Sequence, residues 1–362
     1  MDEPFGADVG ELAATVFADS CPPSRIRELM ATPAGYDPEA WRRWARETGL
    51  PGLGVPAEYG GLGLPLPALA DVFEAAGRTL VCAPLFSTVG LAVPLLLATG
   101  DAEAAKRWLP PIAAGTLTAT VALPDAAAGE PAVTAEPHLW NEWRLSGRVE
   151  RVVDGATAGL LLVVAEGPDG SGVFAVDADE SLTRTPLMSL DLTRRQAVVE
   201  LLRTPATRVG TDTTGLEPAL DAARVLLAAE LVGVAQQCLD VTVAYAKQRV
   251  QFGRPIGSFQ AIKQRAADML IKVELARSAA RHAAAAHEAD EDPAVAAALA
   301  KAYCAEAAAA VAADAIQLHG GIGFTWEHEA HLYYKRAITD DEILGSAATH
   351  WTRVSDHLDH AF

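Results

Sequence analysis

"YAKQRVQFGRPIGSFQAIKQRAADM", Tyr245 to Met269, decides how the chain is to be read. It starts as a helix, breaks at Gly-Arg-Pro and resumes as a helix. Lys247 and Arg249 fall in the last turn of the first helix, where cations complement the helix dipole. Arg249 and Phe252 are three apart and share a helical face. Gly253 stops that helix and Pro255 forbids its continuation. Ser258 is placed to cap the next helix. The first amides of that helix, with Gln260, would face whatever sits at the break. A turn needs glycine and proline, but it does not need Lys247, Arg249 and Arg254 together in a chain whose net charge is -18. Two readings stand at this point. One is a plain turn with solvated cations; the other is a held anion, for which a helix N-terminus is suited.

The 362 residues suffice for two or three domains or one large composite one, and half of them are apolar, enough for a full core without staples. Cys21, Cys82, Cys238 and Cys304 are scattered. That spacing argues against a disulfide framework or a metal site and suits a reducing cytosol. No stretch has the order of a signal peptide, and no uncharged apolar run reaches about 18 residues, so neither export nor a membrane span is expected. The acidic total disfavours nucleic acid as a partner, and its ordinary reading is solubility. A cytoplasmic protein is expected.

Three zones differ in texture. Residues 1–115 read as a helical domain: "PEAWRRWARETGL" is a helix ending near Gly49, and "LPALADVFEAAGRTL" carries one apolar stripe. "DAEAAKRWLPPIAAG" is a further helix that Pro110 and Pro111 stop. Residues 116–212 hold short runs rich in β-formers, such as "WRLSGRVERVV" and "AGLLLVVAE", and read as an antiparallel β-domain. Residues 213–362 hold long alanine-rich helices that approach closely, a four-helix bundle. Strands and helices do not alternate, so the class is α+β and not a doubly wound sheet.

A second stretch, "DAIQLHGGIGFTWE" from Asp314 to Glu327, ends a helix at Gly320-Gly321. The pair is a C-cap or a place where a backbone or flat ligand comes close. Together with the opening stretch it resembles the acyl-CoA dehydrogenase family. "GLGVPAEYGGLGL" followed by "FEAAGRTL" is similar to that family's opening domain, and the helix, β, helix order matches its fold.

The resemblance implies FAD and the oxidation of an acyl-CoA thioester to a 2-enoyl-CoA, with a carboxylate taking the α-proton. It implies that Arg249, Gln251, Phe252, Phe259 and Gln260 contact FAD, with Gln317, Gly320 and Gly321 as the second contacting segment. Both segments in such proteins reach the FAD of a neighbouring subunit, so a homo- or hetero-oligomer, in the family's usual tetramer, is implied. An electron-accepting flavoprotein is implied as a further partner. "LDAARVLLAAELVG" resembles the helix that carries an Asp and an Arg near the thioester, here Asp221 and Arg224. The alternative for these two is a surface pair on a helix.

The sequence departs from the family in two places. The Thr-Glu-Pro signature and the Trp-Ile-Thr strand that touch the flavin are replaced by "ATVALPDAAAGEPAVTAE" and by Val152, Val153 and Asp154. The Tyr-Glu-Gly-Thr motif that carries the base in many relatives becomes Leu-Gly-Ser, with Leu344 at the Glu position. Relatives that place the base before the helix arginine have it where Ala223 stands. Glu230 is seven residues on and shares that face, about 10 Å along the axis. It is the candidate base or, alternatively, a paired structural group, because a lone buried carboxylate is costly. Asp340, Asp341 and Glu342 are weaker candidates. Three functions follow: a catalytic dehydrogenase with a displaced base, a non-catalytic partner subunit, or a flavin oxidase or monooxygenase. Some actinobacterial relatives acting on steroid or other bulky side chains are paired unlike subunits, the precedent for the second.

Overall fold

Asp37 accepts from the amides of Glu39 and Ala40 at 2.9 and 3.2 Å and so starts the helix Pro38–Thr48, which ends at Gly49 with φ 68°. Asp101 starts the helix Ala102–Ala113 in the same way, accepting from the amides of Glu103 and Ala104. The computed structural model describes residues 5–124, 133–138, 142–178, 182–210 and 213–361. Helices α1 (Phe5–Ser20), α2 (Pro23–Met30), α3 (Pro38–Thr48), α4 (Leu66–Arg78), α5 (Val93–Ala98) and α6 (Ala102–Ala113) come first. Strands β1 (Ala119–Ala122), β2 (Thr134–Pro137), β3 (Glu142–Val153), β4 (Leu160–Gly167), β5 (Gly170–Asp177), β6 (Thr183–Pro186) and β7 (Gln196–Val209) follow. Then come α7 (Leu216–Gln248), strands β8 (Val250–Gln251) and β9 (Arg254–Pro255), and helices α8 (Gln260–Ala289), α9 (Pro293–His319), α10 (Ala330–Glu342) and α11 (Ala347–Ala361). The expected helix, β, helix order is the observed one, and the fold is that of the resemblance.

Contacts group the chain into two compact units that cut across the three sequence zones. One comprises residues 1–27, 65–81 and 224–362; the other comprises 28–64 and 82–223.

The β region closes on itself. β4 pairs with β2 and β5, β2 with β3, β3 with β7, and β7 with β5, so these strands form a ring with β1 and β6 added at its sides. Closure removes free edges. Its interior is filled by Leu145, Val149, Leu161, Val163, Phe174, Val199 and Leu201, all at most 1 % exposed. The strands are mainly antiparallel, but β1 and β2 both run parallel to β4. The short strands β2 and β6 carry no alternation long enough to be read in sequence.

Four local expectations are corrected. Pro110 and Pro111 lie inside α6 and do not end it. Burial of Trp108, Leu109 and Ile112 holds that last turn, and the stop comes at Gly115, φ 68°. The helix α7 ends at Gln248, before Gly253 is reached. Phe252 (φ 51°) and Gly253 (φ 75°) are instead the left-handed pair of a two-residue turn between β8 and β9, the backbone such tight hairpins need. Arg249 and Phe252 therefore do not share a helical face. Ser258 does not cap α8: its hydroxyl donates to the Pro255 carbonyl at 2.7 Å, and Phe259 stands at the cap without a side-chain bond.

In the first unit, α9 packs against α8, α10 and α11, and α4 packs against α1 and α8. The stretch Pro293–Phe324 is long and apolar enough to cross a membrane, which the sequence reading did not foresee. Yet 61 % of its most apolar window is buried inside the protein. Its hydropathy comes from alanines that fit between neighbouring helices. Helices α4 and α7 meet backbone to backbone: a Cβ on Gly77 would overlap the Glu230 carbonyl, and one on Gly233 would overlap the Glu74 carbonyl.

A Gly77→Ala chain is expected to be less stable, because overpacking at a backbone contact costs about 1–3 kcal/mol or more, against about 0.5–1 kcal/mol gained by removing a helical glycine. A urea midpoint equal to or above the original would show that α4 can shift without loss.

Candidate functional site

The end of α7, the β8–β9 hairpin and the start of α8 form one exposed knot. Gln251 pairs with Arg254 across the hairpin, and the Ile256 amide donates to the Arg249 carbonyl at 2.8 Å. The Phe252 and Phe259 rings stand edge to face at 6.1 Å, and the Arg254 guanidinium lies 4.1 Å over Phe259. Phe252 is 90 % exposed. Arg249, Gln251, Phe252 and Gln260 all face outward. Lys247, Arg249 and Arg254 make no ion pair among the described residues.

The second segment lies beside this knot. Tyr245 stacks on His319 at 4.5 Å and donates to its carbonyl at 3.4 Å. Arg265 of α8 pairs with Asp314 of α9 at 3.2 Å. Gln317, Gly320 and Gly321 are exposed, and a Cβ on either glycine would meet nothing within 4 Å. The two stretches singled out in sequence are thus one surface. Sequence reasoning missed the ring stack that joins them, in which His328 extends the Tyr245–His319 pair at 4.2 Å. Aromatic residues so far apart in the chain give no local signal.

The knot fits a dinucleotide phosphate in kind. It offers an arginine, two glutamine amides and a helix start whose cap side chain makes no bond, all facing away from the chain that carries them. An anion binds such a set through charge-assisted bonds.

A second, buried group surrounds the turn after α10. Glu230 is 3 % exposed and accepts a hydrogen bond from the Arg336 guanidinium, itself 1 % exposed. Asp221 and Arg224 are buried at 4 % and 7 %, so they are not a surface pair. Arg224 donates from Nε to the Leu344 carbonyl at 3.4 Å, and His350 meets the same oxygen from Nε2 at 3.0 Å. An acceptor there requires the proton on Nε2. Burial, then Lys301 and Arg224, hold His350 down at about 3, so its ring is neutral. Lys301 donates to the carbonyls of Asp341 and Gly345, and the Asp341 carboxylate accepts from the Ala347 amide at 2.8 Å. Asp340 is fully buried while Glu342 is exposed. Lys301, Arg336 and His350 were missed in sequence. A single lysine within "AAALAKAYCAEAA" was the one available hint.

In the other unit, Val152 and Val153 are buried. The Thr120 hydroxyl donates to the Val153 carbonyl at 2.6 Å, and Ser87 donates to the Asp154 carboxylate at 2.6 Å. Residues 125–132, within the segment standing for the Thr-Glu-Pro signature, lie outside the described residues.

Comparison with known proteins agrees with the fold. The profile for the acyl-CoA dehydrogenase N-terminal domain matches residues 9–116, and that for the C-terminal domain matches residues 216–358. The acyl-CoA dehydrogenase IpdE2 of Mycolicibacterium smegmatis is 37 % identical over 336 residues, which cover 92 % of this chain and 93 % of that protein. Among solved structures, the ChsE4-ChsE5 complex from Mycobacterium tuberculosis superposes with a TM-score of 0.90 at 31 % identity, covering 99 % of this chain and 98 % of that one. A variant of the Tcur3481-Tcur3483 steroid ACAD superposes at 0.89 with 33 % identity, covering 98 % of each chain. The chain belongs to the acyl-CoA dehydrogenase family.

Proposed function

We propose that this chain is a subunit of an acyl-CoA dehydrogenase oligomer, and that it is the half of an unlike pair that does not carry the catalytic base. The observation behind this is the state of the carboxylates. Leucine occupies position 344, and its carbonyl is engaged by Arg224 and His350. Glu230 is committed to Arg336. Its carboxylate oxygen is occupied by the Arg336 guanidinium, and both side chains are almost wholly buried. The structural alternative for Glu230 is therefore preferred over the displaced base. The similarity to the Tcur3481-Tcur3483 steroid ACAD and to the ChsE4-ChsE5 complex supports the unlike assembly.

Members of this family are FAD flavoproteins. When bound, FAD supplies the acceptor for the substrate hydride. In this reading Arg249, Gln251, Phe252, Phe259 and Gln260, with Gln317, Gly320 and Gly321, hold the FAD of a neighbouring chain. Their outward direction and the unpaired cations support that assignment. Asp221 and Arg224, three apart on α7, serve near the thioester of an acyl-CoA. A bulky or steroid-derived acyl group, a cytoplasmic setting, a tetramer and an electron-accepting flavoprotein complete the proposal.

The second reading, a catalytic chain with Glu230 as base, is kept because Glu230 lies seven residues beyond Ala223 and so on the same face of α7. Glu230→Gln separates the two. We expect it to lower stability, by up to the 3–5 kcal/mol typical of breaking a buried pair, and to leave flavin reduction by acyl-CoA unchanged in the assembled protein. Loss of reduction with the fold intact would make Glu230 the base.

Arg249→Ala is expected to lower flavin occupancy severalfold at equal protein without unfolding the helices, since charge-assisted contacts are roughly twice as strong as neutral ones. Flavin absorbance that stays the same rejects the placement. Co-purified with its partner, the assembly should hold fewer FAD than polypeptide chains. A stable 37.9 kDa species with full flavin in sedimentation would contradict the whole assignment.

A further inference from the structure

Lys301 sits in α9 with none of its surface exposed. Its Nζ donates to the carbonyls of Asp341 at 2.9 Å and Gly345 at 3.2 Å. Burying an ammonium is costly, and a lysine that only filled space between helices could be replaced by methionine. Here the donors go to both ends of one turn. That turn has an unusual backbone: Leu344 has φ 59° and Gly345 has φ 101°. A left-handed leucine is disfavoured by about 1 kcal/mol or more, so the surroundings must impose it. The result is to turn the Leu344 carbonyl toward Arg224 Nε and His350 Nε2. A bond at Nε fixes the plane of the Arg224 guanidinium.

We propose that Lys301 is a positioning residue for acyl-CoA binding: it sets the turn from Asp341 to Gly345, whose Leu344 carbonyl aims the Arg224 guanidinium at the thioester. The inference rests on the reading that Arg224 serves an acyl-CoA. Lys301 touches no ligand and acts through the turn. Burial is the chief cause that lowers its ammonium to about 8, with Asp341 and then Asp340 acting in the other direction. The groups facing it are Arg224 from α7, Cys304 from its own helix, Asp340 and Asp341 from α10, and His350 from α11. His350 titrates at about 3 and Cys304 at about 12, far from the lysine.

The test uses the complete assembly and two probes, butyryl-CoA and S-butyl-CoA, the thioether that lacks the carbonyl. The quantity read is the ratio of their dissociation constants under anaerobic conditions. The original protein should prefer the thioester. Lys301→Met should reduce that preference by about tenfold or more, the worth of one charged hydrogen bond, and leave the thioether affinity unchanged. In an Arg224→Lys background, Lys301→Met should have no further effect, because coupled residues are not additive. A preference that survives Lys301→Met, an equal loss for both probes, or additivity in the Arg224→Lys background overturns the proposal. If Arg224→Lys itself leaves the preference intact, the reading of Arg224 fails instead. No preference in the original protein overturns both. Should Lys301→Met not fold, the original protein serves: its thioester preference should fall as pH rises through about 8 and the ammonium becomes a weaker, neutral donor. A flat profile across that range overturns the proposal.

Discussion

Two glycines at the crossing of α4 and α7 fix the frame on which the buried chemistry hangs. Gly77 lies against the Glu230 carbonyl and Gly233 against the Glu74 carbonyl. Such contact leaves no freedom to slide, so α7 is pinned at the level where its side chains matter. On α4, Glu74 pairs with Arg277 of α8 at 3.1 Å, and Arg277 also reaches Gln236 of α7 at 2.7 Å. Tyr333 of α10 donates to the Arg78 carbonyl at 2.8 Å. The Glu230–Arg336 pair then ties α7 to α10 one turn beyond. With α10 placed from two sides, the turn at 343–346 begins at a fixed point, and Arg224 meets it.

The long helices were legible because alanine-rich runs bounded by Gly and Pro have few other solutions. Most of the ring of strands was legible from β-rich runs, while β2 and β6 were too short to be read. The errors cluster at the opening stretch. A glycine after a helix reads as its cap, but Phe252-Gly253 supplies the two left-handed residues of a hairpin, and the local pairing of β8 with β9 wins over helix continuation. Pro110 and Pro111 failed as stops because tertiary burial of Trp108 and Ile112 outweighed the lost amide donors.

For the site, sequence supplied residue identity and the structure supplied partners. That Leu344 cannot be a base was readable from its chemistry alone. That Glu230 is already paired was not, because Arg336 lies 106 residues away in the chain. The same holds for Lys301, whose acceptors are backbone carbonyls that carry no sequence signature at all.

The charges of this chain fall into two populations, and the contrast bears on what the molecule does. Inside, Glu230, Lys301 and Arg336 each have a partner with specific geometry, as burial of charge demands. Outside, at the β8–β9 hairpin, Lys247, Arg249 and Arg254 gather with no ion-pair partner among the described residues, although the chain carries 47 acidic residues against 29 basic ones. An acidic protein could neutralise such a knot with one nearby substitution, gaining about 0.2–1 kcal/mol from a surface pair. In the proposed reading, the buried population holds the shape of the chain, and the exposed population is what it offers to a neighbour.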